Sequence, residues 1–388
     1  MNAKNAESFL DRGFSRRQLG RIATVLAGSA LPLEFAMAQD AEQKLRARMN
    51  GGGRGPVNFS DPSIVRINQN ENPQGPCAEG VEAMARVAPH GWRYNPNNEQ
   101  AEIVRVITEQ EGVKAENVQF YAGSSDPLQR IGCCFTSPTR SWTMAGPGYG
   151  NGTPEYIGAK TVKVPLAADY SHDVEAMIKR EPNAGVYYVC NPNNPSGTVT
   201  SREKVQYLLD HKQKDAVVLV DEAYIHFSAN AKSCADMVAA GKDVIVMRTF
   251  SKIYGMAGLR VGYIMARPDL VGKMRQFGPG FLPVTGIACA LASLKSKTLV
   301  PERRAQMKQV RETTYAFLEK KNIKYVPSEV NFFMMETNHP GNEMAAKFAE
   351  KKVIIGRVWP EWPTHVRVSI GTAEEMNKFT TALGEIVG

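Results

Sequence analysis

Four short polar segments of the sequence contain residue types that can do chemistry, and each follows a run of apolar residues. Ligands of open α/β sheets bind beyond the carboxyl ends of the strands, so polar segments that follow parallel strands meet at one edge. The segments therefore predict a single site. They are residues 123–126, 191–197, 221–224 and 249–252, and they follow the apolar runs 118–121, 186–190, 217–220 and 244–248.

Two of these segments contain the groups that bind a phosphate. Ser124 and Ser125 stand where a helix is expected to begin, and a helix start offers free backbone N–H groups and the positive end of the helix dipole. Thr249 and Ser251 add hydroxyl donors, and Arg260 adds a guanidinium that can donate two hydrogen bonds to one anion. Together these residues predict a phosphate site.

Lys252 lies among these phosphate-binding residues, and a carboxylate, Asp221, follows the neighbouring strand. A lysine beside an anion site is placed to form an imine with a carbonyl compound. Asp221 can hold a protonated ring nitrogen, and Tyr224 and Asn194 can bond a ring hydroxyl. A phosphate, an aldehyde, a pyridine nitrogen and a phenolic oxygen together describe pyridoxal 5′-phosphate (PLP), and we expect no metal ion.

Each segment taken alone has a simpler interpretation. Asp221 and Glu222 also fit a solvated strand end or a Mg²⁺ site. Residues 193–197 have the composition of a turn, and Ser124 fits an ordinary helix cap. The PLP hypothesis therefore depends on the conjunction of the four segments and on their order.

The composition places the chain among globular proteins that bind small anionic molecules. The 388 residues are 43% apolar and 22% charged, which excludes collagen-like, coiled-coil and wholly disordered proteins. The net charge of +8 is modest for this length. Because no run of lysine and arginine alternates with aromatic residues, we expect no nucleic-acid partner.

Apolar runs alternate with amphipathic segments, which predicts an α/β fold with a mostly parallel sheet between two layers of helices. We assign residues 86–283 to this large three-layer α/β/α domain. The pattern changes after Pro283, and residues 61–85 and 284–388 are assigned to a smaller α+β domain. Beyond the runs given above, the expected strands of the large sheet are 141–145, 161–164 and 261–265.

Residues 1–38 have the features of a twin-arginine signal peptide. Arg16 and Arg17 precede an uncharged stretch, 22–33, and an A-x-A motif at 36–38. Twelve uncharged residues are too few to span a bilayer, so no stable membrane anchor is expected. The alternative, an amphipathic helix, is disfavoured by Pro32 and by the lack of a helical apolar stripe. We therefore expect the twin-arginine machinery to export the chain to the periplasm, and residues 39–60 to form a flexible leader.

Five motifs extend over nearly the whole chain from Asp61: NENP at 70–73, NNPSG at 193–197, DEAY at 221–224, TFSKIYGMAGLR at 249–260 and HVRVSIGT at 365–372. In these motifs the chain resembles the fold-type I PLP enzymes of the class I and II aminotransferases. Within that family it is most similar to the histidinol-phosphate aminotransferase branch. The most specific motif is the lysine loop with an arginine eight residues later.

The resemblance implies a role for each residue around the cofactor ring. Lys252 would bond to the cofactor and later move a proton between the substrate Cα and the cofactor. Asp221 would keep the ring nitrogen protonated, while Asn194 and Tyr224 would hold the ring oxygen. Tyr149 would stack on the ring.

Further roles follow from the resemblance for the phosphate and the substrate. Tyr94 would reach the phosphate in the other subunit, which implies a homodimer with shared active sites. Arg367 would bind the substrate α-carboxylate, and Arg357 lies near the position that contacts the substrate phosphate in histidinol-phosphate enzymes. The residues expected around the cofactor phosphate are Ser124, Ser125, Thr249, Ser251 and Arg260.

The sequence also departs from the family pattern near the substrate. Gly152 replaces a tyrosine, and Arg357 is followed by an aromatic, proline-rich segment that contains Trp359 and Trp362. These tryptophans either pack a surface loop or line the pocket, where they would favour apolar or aromatic side chains.

We therefore expect an aminotransferase that exchanges amino and keto groups between an L-amino acid, aromatic or histidinol-phosphate-like, and a 2-oxo acid. Two alternatives remain open. One is another PLP-dependent reaction at Cα, namely racemisation, decarboxylation or side-chain lysis, because the same cofactor ligands serve all of these. The other is a non-catalytic PLP-fold binding protein.

Overall fold

The computed structural model describes residues 3–27, 61–278 and 280–387, so the motif at 36–38 and the leader at 39–60 lie outside the described residues. The strands are β1 (Val65–Ile67), β2 (Val118–Tyr121), β3 (Ser141–Gly146), β4 (Thr161–Pro165), β5 (Ala184–Cys190), β6 (Val217–Asp221), β7 (Val244–Thr249), β8 (Gly262–Ala266), β9 (Tyr325–Val326), β10 (Phe332–Glu336), β11 (Val353–Ile355) and β12 (His365–Ser369). The α-helices are α1 (Ala3–Asp11), α2 (Arg16–Ala27), α3 (Ala78–Val87), α4 (Glu99–Glu111), α5 (Ser125–Phe135), α6 (Thr153–Ile157), α7 (Val174–Arg180), α8 (Arg202–His211), α9 (Ala235–Ala239), α10 (Pro268–Arg275), α11 (Val284–Lys295), α12 (Leu299–Lys320), α13 (Gly341–Glu350) and α14 (Ala373–Val387).

A seven-stranded sheet forms the centre of the large unit in the described part of the chain. Its strand order is β2-β8-β7-β6-β5-β3-β4, and only the pairs that include β8 are antiparallel. Every residue of β5, β6 and β7 is buried, which requires cover on both faces of the sheet. The expected α/β fold with a mostly parallel sheet is therefore confirmed.

The smaller unit is built on two short sheets. Strands β12, β10 and β9 form an antiparallel sheet, while β1 pairs in parallel with β11. The pairing of β1 joins residues 65–67 to residues 353–355 in the C-terminal part of the chain. The exact boundaries at 85/86 and 283/284 stay predictions.

Residues 3–27 form two helices that pack on the large unit. The expectation that this stretch lacks a helical apolar stripe is therefore wrong. Leu19, Ile22 and Leu26 recur at helical spacing, but intervening alanines and glycines weaken that signal in the sequence. Arg16 and Arg17 remain exposed. Among the described residues, no helix is long and apolar enough to cross a bilayer. The buried residues of this contact are Phe9, Phe14, Ile22, Val25, Cys133 and Ile157.

Arg12 attaches the two N-terminal helices to the C-terminal end of α5. Its guanidinium donates to the carbonyl oxygen of Cys133, at 2.8 Å, and to that of Thr136. These carbonyls belong to the end of a helix, where oxygens lack intrahelical partners. The guanidinium also lies 4.9 Å from the ring centre of Phe9.

We expect Arg12→Ala to lower the free energy of unfolding of the full chain by about 1.5–3 kcal/mol, because the substitution removes charge-assisted hydrogen bonds from partly buried carbonyl groups. Urea denaturation measures this change. The matched control is Arg16→Ala, an exposed arginine on the adjacent helix, which should change stability by less than about 0.5 kcal/mol. Equal stabilities of the two variants would show that Arg12 does not hold the helices.

Candidate active site

Lys252 follows β7 at the carboxyl edge of the parallel strands. Its Nζ atom lies 3.2 Å from the carbonyl oxygen of Asn70 and 5.5 Å from the ring centre of Tyr224. Burial, followed by the positive charge of Arg367, lowers the pKa of Lys252 to about 8. A substantial fraction of the amine is therefore neutral near that pH, and the neutral form is the nucleophile.

Asp221 is the last residue of β6, the strand beside β7, and its side chain is held from two directions. The hydroxyl of Tyr188 donates to Oδ2 at 2.9 Å, and the backbone N–H of Ala223 donates to Oδ1 at 3.1 Å. Burial raises the pKa of Asp221 to about 6. The carboxyl group is thus ionised at neutral pH, and each oxygen keeps a lone pair for a further donor.

Lys252 and Asp221 lie at the ends of two adjacent strands, where their charges act on each other. The positive charge of Lys252 lowers the pKa of Asp221, and the negative charge of Asp221 raises the pKa of Lys252. No ion pair joins the two groups within the described residues: Lys252 Nζ donates to the carbonyl oxygens of Gln69 and Asn70, and Asp221 accepts from Tyr188.

The residues predicted to bind a phosphate also come together. The hydroxyl of Thr249 donates to Ser251 Oγ at 2.8 Å, next to the start of β8. A Cβ atom at Gly123 would lie 2.2 Å from Arg260 Nη2, and Gly123 has φ +81°, so only glycine allows this approach. The chain then enters α5 through Ser124 and Ser125. The resulting cradle combines hydroxyls, a guanidinium and a helix start.

Arg367 lies on β12 and is buried, with only 5% of its surface exposed. It donates to Asn194 Oδ1 and to the carbonyl oxygen of Asn68, both at 2.8 Å, while its Nε has no partner within the described residues. Burial, followed by the nearby charge of Arg357, lowers the pKa of Arg367 to about 10. The group remains a cation at neutral pH, and a carboxylate is the planar anion that fits its fork.

Aromatic rings and a second guanidinium lie next to Arg367. The Cζ atom of Arg357 is 5.1 Å from the ring centre of Trp359 and 6.0 Å from that of Tyr149. Trp359 is buried, and its Nε1 donates to the carbonyl oxygen of Gly148 at 2.9 Å. Tyr149 therefore lies close to the predicted substrate residues.

Tyr94 is the one predicted residue that the structure does not bring to this site. Its side chain is 77% exposed and stacks on Phe281 with ring centres 4.8 Å apart. A contact with the phosphate cradle of the same subunit is not found among the described residues. The expected role in a second subunit stays a prediction.

Residues 62–383 match the family described as aminotransferase class I and II. The chain belongs to this family. The aminotransferase is 30% identical to histidinol-phosphate aminotransferase 1 of Bacillus cereus, over 84% of the chain and 89% of the relative.

Solved structures show the same fold in related enzymes. A candidate histidinol-phosphate aminotransferase from Erwinia carotovora atroseptica is 28% identical, with a TM-score of 0.79 over 84% of this chain and 96% of that one. The histidinol-phosphate aminotransferase of Sinorhizobium meliloti, solved in complex with PLP, is 24% identical, with a TM-score of 0.73 over 84% and 91% of the two chains.

PLP is the cofactor of this aminotransferase, and the described residues fit it. Lys252 and Asp221 are available to its aldehyde and its ring nitrogen, and the cradle around Arg260 matches its phosphate. Tyr224, whose hydroxyl accepts from Asn70 Nδ2 at 3.1 Å, would donate to the ring oxygen. When bound, PLP supplies an electron sink that stabilises negative charge at the substrate Cα.

Two residues that support this site were not singled out in the sequence. Tyr188, which holds Asp221, lies within a strand that reads as continuous apolar core. Asn70, which holds Tyr224, belongs to the NENP motif, and that motif was the only signal that could have found it. Asn70 is also fixed by Ser369 of β12, whose hydroxyl donates to Asn70 Oδ1 at 2.9 Å.

The low pKa of Lys252 makes cofactor capture depend on pH. We expect the rate at which the apo-aminotransferase binds PLP covalently to rise with pH and to level off above about pH 8, because only the neutral amine attacks the aldehyde. Stopped-flow absorbance measures this rate. In Arg367→Met the midpoint should move to higher pH, since the charge that lowers the pKa is gone. If the wild type and Arg367→Met had the same pH midpoint, the charge of Arg367 would not be a cause of the low pKa of Lys252.

Proposed function

We propose that this aminotransferase transfers the amino group of an L-amino acid, aromatic or histidinol-phosphate-like, to a 2-oxo acid. The observation that carries the proposal is the buried Arg367, which donates to Asn194 and to the carbonyl oxygen of Asn68 and whose Nε has no partner among the described residues. Arg357 supports the choice of side chain, because it is an exposed cation beside the rings of Tyr149 and Trp359.

Each residue then has a defined task in the reaction. Arg367 would bind the α-carboxylate, or the phosphate that histidinol phosphate carries in its place, and thereby fix the orientation of the substrate Cα. Lys252 would act as the base that takes the proton from the substrate Cα and would deliver it to the C4′ atom of the cofactor. Asp221 keeps the ring nitrogen protonated, and Tyr224 holds the ring oxygen in place.

The test is a panel of amino donors added to the PLP-loaded enzyme and followed by absorbance. L-histidinol phosphate, L-phenylalanine, L-tyrosine and L-histidine are the expected donors, with L-alanine and L-aspartate for comparison. The proposal requires faster conversion of the first group. A preference for L-alanine or L-aspartate would overturn the substrate assignment and leave the class of reaction intact.

Omitting the acceptor separates amino transfer from the alternatives. A transaminase then releases one equivalent of 2-oxo acid per active site and stops, with its cofactor in the amine form. A racemase, decarboxylase or lyase continues to make product while the cofactor stays in the aldehyde form. A protein that binds PLP without converting any amino acid in the panel would be a binding protein.

We also propose a homodimer in which Tyr94 completes the phosphate site of the partner subunit. An exposed aromatic cluster, Trp92, Tyr94 and Phe281, supports this assembly, because such side chains usually mark contact surfaces. Mixing Tyr94→Ala protein with Lys252→Ala protein tests it. Hybrid dimers would regain one intact site and partial activity, whereas two inactive proteins that stay inactive after subunit exchange would contradict a shared site.

We further propose that the twin-arginine machinery exports the folded enzyme to the periplasm. Arg16 and Arg17 are exposed on α2 while the opposite face of this helix is buried, so the arginine pair stays accessible on the folded enzyme. The double substitution Arg16→Lys/Arg17→Lys should keep the protein in the cytoplasm. The control substitution Arg21→Lys should leave export unchanged. Export that is unaffected by the double substitution would contradict this route, and N-terminal sequencing would locate any cleavage after Ala38.

A further inference from the structure

Residues 357–363, which we call the tryptophan turn, connect β11 to β12 and contact the large unit at three points. Trp359 and Trp362 form an antiparallel bridge, which closes the turn. Trp359 Nε1 donates to the carbonyl oxygen of Gly148, and Glu361 pairs with Lys163 at 2.9 Å. The ring of Trp362 meets that of Tyr170 edge to face, with centres 5.6 Å apart. The turn therefore joins the two units beside the substrate residues.

The indole of Trp359 contacts both arginines to which the proposed function assigns the substrate. Its ring centre lies 5.4 Å from the Cζ atom of Arg367 and 5.1 Å from that of Arg357, and only 5% of the residue is exposed. The two guanidinium groups repel each other, because burial and then the charge of Arg357 lower the pKa of Arg367. The face of an aromatic ring attracts such cations, and this attraction is stronger where water is excluded.

We propose that Trp359 is a positioning residue that holds Arg367 and Arg357 in place for the acidic groups of the substrate. This inference rests on the proposed function, in which Arg367 binds the α-carboxylate. Because its N–H is bonded to Gly148 and its ring is in contact with two cations, the indole is not a surface on which a substrate ring stacks. The residue instead fixes the cations relative to Gly148 and hence to the neighbouring Tyr149.

Two variants of Trp359 separate the contribution of its aromatic face from that of its N–H donor, and one variant of Trp362 is the control. Trp359→Phe keeps an aromatic face but loses the N–H donor, and Trp359→Leu loses both. Trp362→Phe is the matched control, because it makes the same change in the same turn at a ring that faces Tyr170 and His365. Thermal unfolding and PLP content verify that each variant is folded and loaded.

Binding of succinate, a dicarboxylate that cannot be transaminated, is the first readout, and KM and kcat for the best donor are the second. We expect Trp359→Phe to weaken succinate binding and raise KM by about 3-fold and Trp359→Leu by about 10- to 30-fold, with kcat changed by less than about 3-fold. Trp362→Phe should match the wild type. A residue that is merely structural would instead reduce stability and PLP content without this split between KM and kcat.

The two readouts distinguish failure of this inference from failure of the proposed function. If succinate binding weakens as expected but no donor is transaminated, the positioning role stands and the function is wrong. If donors react and Trp359→Leu leaves KM unchanged, the positioning role is wrong. The positioning role of Trp359 would also be wrong if the wild-type enzyme did not bind succinate. Where Trp359→Leu fails to fold, Trp359→Phe decides.

Discussion

Lys252→Ala should reduce amino transfer by about 10⁴-fold or more, because one side chain supplies both the covalent attachment of the cofactor and the base that moves the Cα proton. The position of this amine is fixed, since Nζ of Lys252 donates to the carbonyl oxygens of Asn70 and Gln69 at 3.2 and 3.3 Å. The loss should appear in kcat, while Arg367 continues to bind the substrate carboxylate.

Single-turnover absorbance with the best donor measures this loss. Lys252→Arg retains the positive charge but provides no nucleophile or base at neutral pH, so it should be as inactive as the alanine variant. Lys232→Ala, at an exposed position, should retain full activity. A small added amine such as methylamine should restore part of the rate to Lys252→Ala. Undiminished turnover by Lys252→Ala would refute the assignment of this residue.

Much of the site could be predicted because its residues follow strands in the sequence itself. Asp221 ends β6 and Lys252 follows the adjacent parallel strand β7, so the pattern of apolar runs was sufficient to bring them to one edge. The phosphate cradle followed from residue types, since hydroxyls at a helix start and a nearby arginine have few other joint uses. The fold class followed from the same alternation of strands and helices.

The rest depends on contacts between elements that are distant in the chain. Tyr188 could not be recognised because its task arises only from the register of β5 on β6, which places Cys190 opposite Asp221. The role of Trp359 requires the tryptophan turn to reach Gly148, more than two hundred residues earlier. The N-terminal helices were missed because their stability comes from packing on α5 and α6, and intrinsic helical pattern contributes little of it.

Asp221→Asn should lower kcat by about 10²- to 10³-fold, because an amide cannot stabilise a protonated ring nitrogen and the cofactor then becomes a weaker electron sink. The substitution preserves shape, and its Oδ1 can still accept the N–H of Ala223. The substrate residues are untouched, so KM should change little. Asp221→Glu, which retains the charge on a longer side chain, should recover part of the loss. Equal kcat values for Asp221→Asn and the wild type would contradict the role.

The same substitution should stabilise the protein that lacks PLP. Burial raises the pKa of Asp221 from 3.8 to about 6, so the folded apoprotein holds this proton more tightly than the unfolded chain does. Its stability therefore falls as pH rises from about 4 to about 6, by up to about 3 kcal/mol at 1.4 kcal/mol per pKa unit, and stays lower above that range.

Asparagine removes this pH-dependent cost. Apo-Asp221→Asn should thus be more stable than the apo wild type at pH 7.5 and similar to it near pH 4, whereas Asp215→Asn, at an exposed carboxyl group, should show no such difference. Urea denaturation of the apoproteins at the two pH values measures the effect. A destabilised variant at pH 7.5 would mean that the carboxylate is held by favourable contacts that outweigh its burial. The expected result for Asp221→Asn is a gain in apoprotein stability together with a loss of kcat. It would show that the protein keeps a charge at this position for the cofactor at the expense of its own stability.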